Sequence, residues 1–76
     1  MKVDELRARI HAIPFQPFVV HVADGRSIQV PHPDFIAITG TGRTAFITFE
    51  KKPSFAVIDI PLITQLEAQG DMAERE

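Results

Sequence analysis

The strongest constraint on this chain is an alternation of apolar and polar side chains that starts at Phe18 and returns in run after run. Phe18, Val20 and Val22 alternate with Val19, His21 and Ala23, and then Ile28 and Val30 alternate with Ser27 and Gln29. After an interruption, Phe35-Ile36-Ala37-Ile38-Thr39 resumes, Ala45, Ile47 and Phe49 alternate with Thr44, Phe46 and Thr48, and residues 54–60 form one more run. A period of two is the period of a strand. None of the connections has room for the crossover helix that a parallel pair requires, so consecutive strands are predicted to pair antiparallel.

Register follows from the first turn. A two-residue loop at Asp24-Gly25 would set Val20 against Gln29 and Val22 against Ser27, mixing apolar and polar groups on one face. A three-residue loop, Ala23-Asp24-Gly25 with the glycine left-handed in a bulge, sets Val20 against Ile28 and Phe18 against Val30. The second register keeps one face apolar and is the predicted one. Val19, His21, Ser27 and Gln29 then share the opposite face.

Prolines punctuate the rest. Pro31 and Pro33 cannot donate to a ladder, so Pro31-His32-Pro33-Asp34 breaks the strand pattern. Gly40-Thr41-Gly42 and Glu50-Lys51-Lys52-Pro53 read as turns, the second a solubilising one, and Pro61 ends the late run. Residues 62–67 fit either a short last strand or a second helix, with Thr64 favouring the strand. Ahead of the strands, Val3, Leu6, Ile10 and Ile13 recur at helical spacing, with Asp4 and Glu5 in the first turn, predicting a helix over 3–12 that Pro14 stops. Pro14 and Pro17 formally resemble a proline-rich ligand, but a stiff connector carrying Phe15 and Phe18 into the core explains the same residues.

Composition limits what such a fold can do. The chain has 76 residues and no cysteine, which excludes a disulfide framework, thiol catalysis and thiolate metal sites. Of its ten acidic and eight basic residues, Asp71, Glu74, Glu76 and Arg75 lie near the C-terminus, so the excess acid belongs there and the body is formally neutral. A basic nucleic-acid footprint is therefore absent at the level of net charge. Lys2, Asp4 and Glu5 interrupt any leader-like apolar start, and no stretch approaches the roughly 20 apolar residues of a membrane span. A soluble, cytoplasmic protein is expected. Residues 1–67 are predicted to form one small β-barrel domain with an N-terminal helix, and 68–76 a disordered acidic tail.

The element order, a helix followed by four or five short antiparallel strands, predicts a mainly β fold with one α-helix, closed as a small bent antiparallel barrel. It resembles the Sm-like family, including bacterial Hfq, in that order, in the first strand ending Val22-Ala23-Asp24-Gly25, in Phe35-Ile36-Ala37-Ile38, and in the late run from Ala56 to Ile63. The chain also looks like a group of small bacterial proteins with an Ala-Asp-Gly-Arg turn, a Val-Pro-His-Pro segment, a Gly-Arg-Thr and a late Ile-Asp, a pattern to which no function is attached. The Sm-like resemblance implies a ring that binds single-stranded RNA, with Phe35 stacking on a base. Where bacterial RNA-binding members have a Lys-His pair in the late strand, this chain departs with Asp59-Ile60, replacing cationic and polar groups at that rim with an acid and an apolar residue.

Among residues that could bear chemistry, Arg26 and Arg43 each begin a strand just past a turn, and two guanidinium groups near turn amides are suited to phosphate. His11, His21 and His32 have no metal-ligand spacing; His32 is the most constrained, between two prolines and beside Asp34. The carboxylates Asp24, Asp34 and Asp59 come with no nucleophile or anion-stabilising set. No enzymatic activity and no cofactor are expected. The candidate nucleic-acid contacts are Phe35, Arg26, Arg43 and His32. Apolar residues on both strand faces, such as Val19 beside Val20 and Phe46 beside Ile47, predict a homo-oligomer, since a chain of this size buries only about 60% of its unfolded surface by itself. Two functions remain open: an RNA-binding assembly, and a protein-interaction or scaffolding module.

Overall fold

In a computed structural model that describes residues 2–68, the helix forms over Val3–Ile10 (α1) and ends earlier than its apolar spacing suggests. The His11 amide makes the last helical bond, to Arg7 O at 3.0 Å. Ile13, expected on the apolar stripe, is instead 97% exposed. Pro14 disfavours helical geometry in the residue before it, so Ile13 leaves the stripe and Leu6 remains the fully buried anchor of α1.

Six strands follow among the described residues: β1 (Phe18–Val22), β2 (Ser27–Val30), β3 (Ile36–Ile38), β4 (Thr44–Thr48), β5 (Phe55–Asp59) and β6 (Ile63–Ala68). They pair antiparallel as two sheets, β2-β1-β6 and β3-β4-β5. The β1–β2 register is the one that keeps a face apolar, Val20 opposite Ile28 and Phe18 opposite Val30. Gly25 has φ +98, and its amide bonds Val22 O at 2.9 Å while the Val22 amide bonds Arg26 O at 2.9 Å. A side chain with a Cβ is strained at that φ, so the glycine is what permits the three-residue turn.

The strands number six, beyond the four or five expected, because both expected proline breaks are present and the segment after the second is itself a strand. Each break holds a short 3-10 helical turn, Pro33–Phe35 between β2 and β3 and Ile60–Leu62 between β5 and β6, with proline in the first turn, where its missing amide costs nothing. The segment after Pro61 is a strand and not a second helix, because β1 is central and its second edge pairs with β6, from Phe18 opposite Ala68 to Val22 opposite Ile63. Ala68, expected to open the tail, therefore closes the sheet; positions 69–76 lie outside the described residues.

Both sheets turn an apolar face to one core. Phe18, Val20 and Val22 of β1, Ile28 and Val30 of β2, Ile36, Ala45, Ile47, Ala56, Ile58, Ile60 and Ile63 form a single buried cluster with Leu6. β5 alternates strictly between buried and exposed positions, and β4 does so from Ala45 to Thr48. Each fully buried large aliphatic or phenyl group contributes about 1.5–3 kcal/mol. The resulting scaffold leaves outward faces and turns free for function. No helix of the described residues is long and apolar enough to cross a membrane.

Candidate functional site

The β-pairing separates the four candidate contacts into two ends. The Ala23 amide bonds Leu62 O at 2.8 Å and the Ile60 amide bonds Arg43 O at 2.8 Å, so the turns bearing Arg26 and Arg43 flank the same 3-10 turn. β2 runs away from the first of these turns and β3 runs toward the second. Residues 31–35 between them consequently lie at the far end, with His32 and Phe35. Phe35 and the two arginines do not meet within the chain.

Arg26 is occupied locally. Its Nε donates to Asp24 Oδ2 at 2.8 Å and its backbone amide donates to Asp24 Oδ1 at 3.0 Å. The amide first, and then the guanidinium, hold the Asp24 carboxyl below its ordinary range. Both side chains are about half exposed, 49% and 52%, and a pair in that setting stabilises little. An NMR titration is expected to place the Asp24 midpoint below the usual aspartate value and to keep part of that depression in Arg26→Ala, because the amide donor survives. Since the folded midpoint lies below the unfolded one, the small stabilisation is present above the unfolded midpoint and is lost as pH falls through the folded one. Arg43 is exposed and makes no ion pair among the described residues.

At the far end the aromatic side chains form a row. The Phe18 and Phe15 rings are 5.9 Å apart between centroids, Phe15 and His32 6.4 Å, and His32 and Phe35 6.4 Å. Phe18 is fully buried, Phe15 and Phe35 are half-buried, and the His32 side chain is 64% exposed. The row therefore leads from the core to solvent. The carboxylate of Asp34 stands 3.7 Å from His32 Nδ1. The β4–β5 turn reaches the same end, with Thr48 Oγ1 3.5 Å from Phe35 O. Beside it a cleft of about 260 Å³ is lined by Gln29, Pro31, Phe49, Glu50, Lys51 and Lys52, and Lys52 Nζ sits 4.7 Å from the Phe49 ring centroid. Lys51 and Lys52, read from sequence as solubilising, thus share a cleft with Pro31, which directly precedes the His32–Phe35 segment. The available sequence signal was Phe49 two residues before a lysine pair; its neighbour across the fold was not legible.

His21 lies elsewhere, on the outer face of β1. Its Nε2 is 2.8 Å from Glu67 Oε1 on β6 and its Nδ1 is 2.9 Å from Ser27 Oγ on β2. The neutral tautomer with the proton on Nε2 satisfies both, donating to Glu67 and accepting from the Ser27 hydroxyl. Serine, histidine and glutamate are in contact order for nucleophile activation, yet they lie on a sheet face and do not line the cleft beside Lys51 and Lys52. Their evident action is to tie three adjacent strands together. His11 lines a groove between α1 and β3, so the three histidines stay apart. Among the described residues no group of three or more His, Asp or Glu gathers to hold a metal ion.

One further surface stands out. On the outer face of β3-β4-β5, Phe46 is 40% exposed, Val57 49% and Phe55 62%. Phe46 sits between Ala37 and Val57 in register, and its ring lies 6.4 Å from that of Phe55. Comparison of the chain with protein-family models, with curated proteins and with solved structures finds no match.

Proposed function

We propose that the two sheets close as a small Sm-like or SH3-type barrel, and that this non-catalytic cytoplasmic module assembles with copies of itself and binds single-stranded RNA at its aromatic end. Closure is supported by the shared core and by the two short links, residues 31–35 joining β2 to β3 and Ile60–Leu62 joining β5 to β6. The observation that carries the RNA reading is the row Phe15–His32–Phe35 at the same end as Lys51 and Lys52. Aromatic rings accept any base by stacking, at about 1–3 kcal/mol per base, and lysines follow the phosphates. Arg26 and Arg43, at the opposite end, are reached only by a strand long enough to run along the subunit.

The test is fluorescence anisotropy with a labelled single-stranded RNA over a series of salt concentrations. Binding is expected at low salt and weakens with salt. Joint replacement His32→Ala and Phe35→Ala is expected to weaken it by roughly tenfold or more. Lys51→Glu with Lys52→Glu lowers the salt slope by about two. Absence of binding at low salt, or indifference to both pairs of changes, removes this reading.

A second reading, a protein-interaction module without a nucleic-acid role, is favoured by the exposed Phe46, Phe55 and Val57. Recovery of one stoichiometric protein partner and no nucleic acid in a pull-down would select it.

A further inference from the structure

We infer that the outer face of β3-β4-β5 is the contact between two copies of this chain, packed face to face about a twofold axis. The inference rests on the self-association proposed above and names its surface and geometry. The face has an apolar middle and unlike ends. Thr44 and Asp59 form one end row, Ala37, Phe46 and Val57 the middle, and Thr48 and Phe55 the next. Beyond Phe55 comes the turn with Glu50, Lys51 and Lys52, which carries a net positive charge.

This distribution is complementary to itself. Sheets pack face to face at about 10 Å with strands aligned to within about 30°. A twofold axis lying midway between the two sheets, parallel to them and perpendicular to the strands, and passing between the levels of Val57 and Phe55, sets Val57 of each copy on Phe55 of the other. The same rotation carries Asp59, about 13 Å along the strand from Phe55, over the other copy's Lys51-Lys52 turn. Every contact then occurs twice, as an isologous interface requires. The two Phe46 rings, each already against Phe55 within its own copy, then lie on either side of the axis. A random apolar partner would satisfy Phe46, Phe55 and Val57 but would leave the Asp59-to-lysine polarity unused.

Sedimentation equilibrium without RNA tests the proposal. The wild type is expected to be a dimer at micromolar concentration. Val57→Glu or Phe46→Glu should raise the dimer dissociation constant at least about a hundredfold, because each places an unpaired charge in the contact twice. Asp59→Lys should raise it roughly tenfold, and adding Lys51→Glu and Lys52→Glu to that variant should recover most of the loss. Circular dichroism melts of the variants at monomer concentrations should match the wild type, since the replaced side chains face solvent in one subunit. A monomeric wild type overturns this inference and the self-association reading together, and leaves the face to another protein. A wild-type oligomer indifferent to both glutamate variants overturns the face alone and assigns assembly to strand edges.

Discussion

Phe18→Ala is expected to bring the domain to the edge of unfolding at room temperature. Phe18 is fully buried on the central strand, opposite Val30 on one side and Ala68 on the other. Removing a buried phenyl group costs about 3–5 kcal/mol once the cavity is included. A domain of this length has a total stability of only about 4–11 kcal/mol, so the loss is a large share of the whole. With no tryptophan or tyrosine in the chain, far-ultraviolet circular dichroism in urea is the suitable measurement. At a slope near 1 kcal/mol per molar urea, the midpoint should fall by about 3 M. A fall below about 1 M would mean that neighbouring side chains collapse into the space. The aromatic row would suffer with the core, because the Phe15 ring rests on Phe18.

Leu6→Ala is expected to release α1 while the sheets persist. Eight residues are too few for a stable isolated helix in water, where about 12–15 are marginal. Its formation therefore depends on docking, and Leu6 is the residue of α1 that is fully buried. The replacement should cost about 2–5 kcal/mol. Val3 and Ile10 pack only partly against the core and cannot compensate. Hydrogen exchange should show α1 amides losing protection first, with β1 and β4 amides retaining much of theirs. Equal loss across helix and strands would show that α1 and the sheets unfold as one cooperative unit.

Much of the scaffold is legible in the chain because its signals are short in range. The Ala23-Asp24-Gly25 turn selects the β1–β2 register by itself: a one-residue slip would turn Ile28 and Val30 outward. Pro14, Pro31, Pro33 and Pro61 mark breaks through a missing amide and a fixed φ, which no distant residue alters. The alternation in Phe46-Ile47 and Val57-Ile58 already separates buried from exposed positions. These inferences need only neighbours within a few residues.

The candidate site was legible only in part. His32 and Phe35 stand out in sequence, but grouping them with Arg26 and Arg43 required knowing which end of a strand each turn occupies. That is decided by pairing between segments far apart in the chain: Ile60 against Arg43, Ala23 against Leu62, and Thr48 beside Phe35. The same pairing chose strand over helix for Ile63–Ala68, through an edge of β1 that the first hairpin leaves free. It also brought Glu67 to His21 across 46 positions and set Phe46 beside Phe55. By itself the sequence determined the hairpin register, the breaks and the buried side of each strand, since these depend on backbone sterics and side-chain period. Only the tertiary structure decided which loops share an end and which exposed side chains share a face, because strand order and sheet packing set those distances.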